Sequence, residues 1–271
     1  MAKLSVIIPV YNSEKYIEKC ITSFLSQTDN NFEIIFIDDC SQDSSKNIIS
    51  KYLADHKNFK LIINEQNKGI TFSRKVGIEK ADGDYLSFVD SDDWVETDYV
   101  ESILSEFEKN QDINTVMFKF FERYEKGTKL KFAFYPVYFN SKSSIVTINS
   151  HNIFDYPTFC WAKAYKTKFI KSENITFYGK IFEEFAFYVS LCIKSPKISI
   201  IDKRIYNYLY RDSSWTADDS KEKIKLKLDN LKDLKYFTEN LIKVNSCNED
   251  LKNVLLNRIE TLENYYKKMQ L

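Results

Sequence analysis

Four short apolar runs near the start of the chain restrict its fold more than any other feature. They are Leu4 to Val10, Phe32 to Ile37, Phe59 to Ile63 and Tyr85 to Val89. Each is apolar nearly throughout, as expected of strands covered on both faces. Between them the spacing changes to threes and fours. Tyr16, Ile17, Cys20, Ile21, Phe24 and Leu25 form one helical stripe, and Ile48, Ile49, Tyr52 and Leu53 form another. Asn67-Lys68-Gly69 makes a turn into a third helix, around Phe72 to Lys80, which Gly83 is expected to stop. Strand and helix thus alternate with short connections. That pattern predicts an α/β fold with a doubly wound, mostly parallel sheet, flanking helices and right-handed crossovers.

Parallel strands end on one rim, and here two of those ends carry acids. Asp38 and Asp39 follow the second run; Asp90, Asp92 and Asp93 follow the fourth, with Trp94 next. In open α/β sheets ligands bind beyond the carboxyl ends of the strands. Acids gathered there repel one another unless a cation or hydrogen-bond donors compensate them. Hard oxygen ligands suit Mg²⁺ or Mn²⁺ carried with a phosphate. The competing reading is an Asp-rich turn that merely caps a helix starting near Thr97. The first turn, Pro9-Val10-Tyr11-Asn12-Ser13, has neither a Gly-x-Gly-x-x-Gly cradle nor a P-loop.

Charge and cysteine usage narrow the partners. Lys+Arg and Asp+Glu both number 39, so no overall field favours nucleic acid. The N-terminus lacks a signal-peptide pattern, and no apolar stretch has the length needed to span a bilayer. Cys20, Cys40, Cys160, Cys192 and Cys247 form no CxxC pair. Reduced thiols in a cytoplasmic protein account for them, without zinc or disulfides. His56 and His151 have no metal-ligand companions and read as structural or exposed.

Taken in order, Ser5-Val-Ile-Ile-Pro-Val-Tyr-Asn12, Ile37-Asp-Asp-Cys-Ser-Gln-Asp43, Asn67-Lys-Gly69 with Ser73-Arg74, and Ala81 to Asp93 resemble the segments of family 2 glycosyltransferases. The resemblance is strongest over about the first 100 residues and continues to about residue 216. It implies a GT-A-like fold and an inverting, metal-dependent hexosyl- or N-acetylhexosaminyl-transferase that uses a nucleotide-sugar, a UDP-sugar first of all. Pro9, Val10 and Tyr11 would then line the nucleotide pocket. Asp39 would accept from the base, with Asp38 beside it. Asp90 would contact the ribose or the metal shell, and Asp92 would be the direct ligand of Mn²⁺ or Mg²⁺. Asp93 and Trp94 would face a sugar. Arg74 would sit near the pyrophosphate or brace the acids; Lys75 stands where the family usually has Asn. The bland alternatives are core packing for Tyr11 and a helix cap or an ion pair with Arg74 for Asp38.

Inversion by single displacement also requires a general base for the acceptor hydroxyl. The middle of the chain is less legible, with strands expected at Thr115 to Phe121, Leu130 to Tyr135 and Ser144 to Ile148. Beyond it, Trp161-Ala-Lys-Ala-Tyr-Lys166 and Phe182-Glu183-Glu184-Phe185 resemble a family segment followed by an acidic pair that opens a helix. The second acid of that pair is the family's base, here Glu184, with Glu183 in front and Trp161 able to stack on a sugar. The family usually has Asp there; Glu is longer by one methylene, about 1.5 Å, and attack geometry is sensitive on that scale. The alternative is a pair of acids that only complement the helix dipole. After a strand at Ile198 to Ile201, Tyr206 to Thr216 resembles a loop near the donor diphosphate, where Arg211 would neutralise charge with help from Ser213 or Ser214. Trp215 would be another stacking candidate; the bland alternatives are core packing for any one of these tryptophans and a plain surface position for Arg211.

From Ser220 onward two apolar stripes, Ile224 to Val244 and Leu251 to Met269, predict a helical hairpin. The expected division is therefore a transferase domain over 1–218, with halves 1–110 and 111–218, and an extension over 219–271. From Lys221 the extension holds 11 basic and 8 acidic residues, an excess of +3. Three destinations suit it: peripheral contact with the inner face of the cytoplasmic membrane, a second subunit, or its own catalytic domain. The expected acceptor is a surface polysaccharide, lipooligosaccharide or lipid-linked glycan. The rival readings are a degenerate transferase serving as a glycan-binding scaffold and a sugar nucleotidyltransferase. The latter would want a Gly-rich basic loop after the first strand.

Overall fold

The computed structural model describes residues 3–125, 145–211 and 220–269. The alternating units come first: β1 (Leu4–Val10), α1 (Ile17–Leu25), β2 (Phe32–Asp38), α2 (Ser45–Leu53), β3 (Phe59–Ile63), α3 (Ile70–Lys80) and β4 (Tyr85–Phe88). Then follow β5 (Trp94–Val95), α4 (Tyr99–Lys109), β6 (Thr115–Tyr124), β7 (Ile145–Thr147) and β8 (Lys163–Lys166). The chain continues with α5 (Thr167–Ser172), α6 (Glu183–Lys194), β9 (Lys197–Tyr210), α7 (Lys221–Val244) and α8 (Glu249–Met269). The strand order is β3-β2-β1-β4-β8-β6-β9-β5, with β7 added on β9. β1 pairs in parallel with both β2 and β4, and β2 with β3. Beyond β4 the sheet turns mixed, since β8 is antiparallel to both β4 and β6 while β6 and β9 run parallel.

Every residue of β1 and β2 is buried, which explains why neither run alternates with polar residues. Alternation survives as a choice between two apolar layers. Leu4, Val6, Ile8 and Val10 of β1, with Phe32, Ile34 and Phe36 of β2, pack on Ile17, Ile21 and Phe24 of α1 and on α4. Ile7, Ile35 and Ile37 face the other layer, with Ile78 of α3, Phe187 of α6 and Leu231 and Leu255 of the C-terminal hairpin. The hairpin therefore docks on its own domain through the same core as the sheet.

Three expectations need revision. Gly83 does not stop α3, which ends at Lys80 with Ala81 extended. A Cβ at Gly83 would lie 2.9 Å from the backbone nitrogen of Ser5, so the glycine permits a close approach of two strands. The Asp-rich turn after β4 caps no helix, because β5 lies between it and α4. Tyr206 to Tyr210 are not loop but the second half of β9, paired with Phe120 to Tyr124. The exposed triplet Asp202-Lys203-Arg204, where the register shifts, masks that continuity in the sequence. The expected strand over 130–135 and residues Ser144, Ser213, Ser214 and Trp215 fall outside the described residues. Among those described, no helix is long and apolar enough to cross a membrane.

Candidate active site

The chain leaves β1 for β2 on one side and later returns from β3 to β4 on the other. The strand order reverses there, and crevices at such switch points hold ligands in open α/β sheets. Because β2 and β4 both run parallel to β1, Asp38–Asp39 and Asp90–Asp93 lie beyond the same edge. Pro9 and Val10 pair with Ile37 and Asp38 at that edge, and Tyr11, 48% exposed, lies on the rim rather than in the core.

The loops after β1 and β2 lock together by polar contacts. Gln42 N–H donates to Asn12 Oδ1 at 2.8 Å, Glu14 N–H to Asp43 Oδ2 at 2.9 Å, and Ser44 N–H to Glu14 Oε2 at 2.9 Å. A polar cleft of about 420 Å³ opens between these loops and reaches Arg211. Asp39 accepts from Asn64 Nδ2 at 2.7 Å and from the Lys68 and Gly69 amides at 2.9 and 2.7 Å. It thereby ties the turn before α3 to the end of β2, an engagement its position at a strand end does not announce. Asp38 is buried; its Oδ2 accepts from Ser41 N–H at 3.1 Å, and its Oδ1 has no partner among the described residues. It pairs with no arginine.

Arg74 is the hub. Only 2% exposed, it reaches Asp90 at 3.2 Å, Glu183 at 2.9 Å and Glu184 at 3.5 Å. It thus joins the acids after β4 to the acid pair that opens α6. Burial pushes the Asp90 carboxyl up to about 6, helped by repulsion from Glu184 and Asp92 and opposed by Arg74. Burial likewise pushes Glu183 up to about 7, against the pull of Arg74. Glu184 Oε1 also accepts from the Cys160 amide at 3.1 Å and its thiol at 3.0 Å.

Asp92 is paired with Arg211, whose Nε lies 2.6 Å from Oδ2. The Arg211 guanidinium also sits over the Tyr16 ring. Asp93 turns inward. It is 1% exposed and accepts from Tyr206 Oη at 2.5 Å and Leu209 N–H at 2.7 Å, so it faces protein where a sugar was expected. Burial, then the charges of Asp92 and Asp90, drive its carboxyl well above the usual range. Trp161 also departs from its expected place. It is 3% exposed and stacks on Phe159, Tyr206 and Tyr208, leaving no face for a sugar. The Trp94 ring carries the ammonium of Lys19.

Local backbone marks the same region. Asn12, Cys40 and Phe182 adopt left-handed conformations, with φ of 48°, 62° and 60°. Each directly follows or precedes a residue named above: Tyr11, Asp39 and Glu183. Such conformations cost free energy outside glycine and cluster where a site needs them.

A family model described as Glycosyl transferase family 2 matches residues 5–168, more than half of the chain. The chain belongs to glycosyl transferase family 2. Among its relatives, Glycosyltransferase GlyA of Streptococcus pneumoniae is 32% identical over 226 residues, which cover 79% of this chain and 32% of GlyA. The chain thus spans about a third of the length of that relative. Among solved structures, Staphylococcus aureus TarS 1-349 in complex with UDP-GlcNAc superposes with a TM-score of 0.69 at 22% identity, covering 99% of this chain and 88% of that one. The mannosyltransferase PcManGT of Pyrobaculum calidifontis, in complex with GDP-Man and Mn²⁺, gives 0.60 at 10% identity, covering 98% and 73%. Both likenesses establish the GT-A-like fold.

For this family 2 chain, several site-building residues were missed by sequence reasoning. Tyr206 accepts from the Asp90 amide and donates to Asp93, fixing the acidic turn from across the sheet. Its signal was the alternation Tyr206, Tyr208, Tyr210, a strand pattern. Asn64 and Cys160 carry no local signal, since their partners are distant in sequence.

Proposed function

We propose that the chain is an inverting glycosyltransferase that moves a hexosyl or N-acetylhexosaminyl group from a UDP-sugar to a hydroxyl of a surface polysaccharide, lipooligosaccharide or lipid-linked glycan. The observation that carries this reading is the Arg74 bridge, which puts the acids beyond β4 and the pair opening α6 in one cluster at the switch point. Family membership supports the reaction class. The complexes of TarS with UDP-GlcNAc and of PcManGT with GDP-Man and Mn²⁺ support a nucleotide-sugar donor and a divalent cation.

The donor set suits that cation. Among the described residues Asp90, Asp92, Glu183 and Glu184 share two cations, Arg74 and Arg211, and burial already disfavours the charged forms of Asp90, Asp93 and Glu183. Among the described residues no three His, Cys, Asp or Glu side chains could hold a metal alone. Asp92 would hold Mn²⁺ or Mg²⁺, with donor diphosphate oxygens completing its shell. The ion would supply charge stabilisation to the leaving diphosphate. Arg211, freed from Asp92, meets the diphosphate as a second positive charge. Pro9, Val10 and Tyr11 border the nucleotide, with Asp38 and Asp39 on the same rim. Glu184 takes the proton of the acceptor hydroxyl as the new bond forms, and Arg74 holds the resulting acid beside Asp90. A lipid-linked acceptor places the chain at the inner face of the cytoplasmic membrane, where the basic excess of the hairpin favours anionic lipid.

The test is UDP release from a panel of UDP-sugars with Mn²⁺, together with UDP titration. Asp92→Ala and Glu184→Gln should each lose on the order of 100-fold or more in turnover. Glu184→Gln should still bind UDP with Mn²⁺. Turnover near wild type in Glu184→Gln removes it from the base role, and no heat from UDP with Mn²⁺ removes the donor reading.

A further inference from the structure

The segment around Trp161 loses its expected sugar-stacking role, yet its polar atoms converge on the acid pair. Lys163, 1% exposed, turns its ammonium back to the carbonyls of Pro157 and Phe159, the latter at 2.8 Å. Tyr165 Oη donates to the carbonyl of Cys160 at 3.0 Å. Two buried side chains of β8 thus fix the turn that precedes it, and with it the backbone of Cys160. From that turn the Cys160 amide and thiol both donate to Glu184 Oε1. The third contact to the carboxylate, from Arg74, also lies on Oε1. Among the described residues no donor reaches Oε2, and the Glu184 side chain is 21% exposed.

We infer that Cys160 is the positioning residue of the base: its thiol and amide hold Oε1 of Glu184, so that Oε2 is the oxygen offered to the acceptor hydroxyl. The inference rests on Glu184 being that base and adds how the base is aimed. A thiol is a weak donor in water. Here it is 1% exposed and its acceptor is a carboxylate, which strengthens the bond. Burial pushes the Cys160 thiol well above its ordinary value, so the sulfur keeps the proton it donates. The longer arm of Glu has one more rotatable bond than Asp, and a second anchor on Oε1 removes that freedom. Alignment of a base within an ångström is where such an anchor acts on rate.

The experiment combines infrared and kinetic readouts on the full chain. The S–H stretch of Cys160, isolated as the band lost in Cys160→Ala, should lie at the low-frequency side expected of a hydrogen-bonded thiol. It should move toward the free-thiol position in Glu184→Gln. A band that does not move overturns the inference whatever the activity. Using UDP release from UDP-glucose, UDP-galactose and UDP-N-acetylglucosamine, Cys160→Ala should lower kcat on the order of 10-fold with donor KM within about 2-fold. Cys160→Ser, whose hydroxyl can donate, should recover most of the loss. In a Glu184→Gln background Cys160→Ala should add no further loss, because the two act as one unit. Wild-type kcat in Cys160→Ala beside a disabled Glu184→Gln defeats the positioning role and leaves the base standing. A moving band beside an active Glu184→Gln defeats the base instead. Tyr165→Phe, which keeps the ring and frees the Cys160 carbonyl, should reproduce the kcat loss in part.

Discussion

A carboxyl beside a guanidinium is ordinarily made more acidic, yet at Glu183 burial wins. Burial pushes its carboxyl up to about 7 although Arg74 lies 2.9 Å away, with repulsion from Glu184 and Asp90 adding to the effect. The folded chain therefore holds this proton more tightly than the unfolded one. Stability from this group is fully present below the ordinary value of about 4.5 and is lost as pH rises through about 7. Glu183→Gln removes the titration. Its Tm relative to wild type should be higher at pH 8 than at pH 5, read by calorimetry at both. A difference that stays constant or falls with pH would mean that Arg74 already satisfies the ionised form. The residue scale is also where sequence reading reached least far. The motifs marked Asp39 and Arg74 as candidates for the proposed site. What each touches was not legible, since Asn64, the Lys68 amide, Asp90 and Glu183 meet them only through the fold.

At the scale of elements the first half was readable because burial on both faces leaves continuous apolar strands, set apart by helices with their own apolar stripes. Ile34, Ile35, Phe36 and Ile37 signal a central strand at a glance. β9 was only half visible, since Asp202, Lys203 and Arg204 break its apolar pattern while the pairing with β6 carries on past them. Trp161 shows the opposite failure: an aromatic in a motif looked available and proved to be packed among Phe159, Tyr206 and Tyr208. The helix against the site has its own requirement. α3 carries Arg74 and lies so close to β1 that a Cβ on Gly77 would sit 2.2 Å from Ile7 Cγ2. Gly77→Ala gains about 1 kcal/mol of helix preference. Against that stands overpacking of a fully buried β-branched side chain, about 1–3 kcal/mol. A net loss of up to about 2 kcal/mol is expected, lowering Tm by up to roughly 4 °C. Because the shift tilts the helix that holds Arg74, turnover should fall more than UDP affinity. A variant more stable than wild type by about 1 kcal/mol would show that Ile7 yields at no cost.

Over the whole molecule, the C-terminal hairpin and the acid pair are one construction. The chain reaches α6 through residues 178–182, and that approach is held from both sides. Thr71 of α3 donates to the Gly179 carbonyl at 2.7 Å. Asn230 of α7 accepts from the amides of Lys180 and Ile181 at 3.0 and 3.3 Å, while its own amide donates to Leu226. Tyr178 stacks on Phe237 of α7, and Phe182, left-handed at the start of α6, packs against Tyr266 of α8. The apolar stripes that suggested a membrane or a partner are thus largely spent on the chain's own core, and the hairpin supports the helix that carries Glu183 and Glu184. Asn230→Ala leaves two amides without their acceptor, a loss of about 1–3 kcal/mol. It should lower turnover on UDP-sugars while leaving UDP binding intact, since the proposed nucleotide rim is built from the ends of β1 and β2. Urea unfolding together with UDP titration separates the two effects. Loss of UDP binding in step with turnover would point to general unfolding, and unchanged turnover would reduce the hairpin to packing alone.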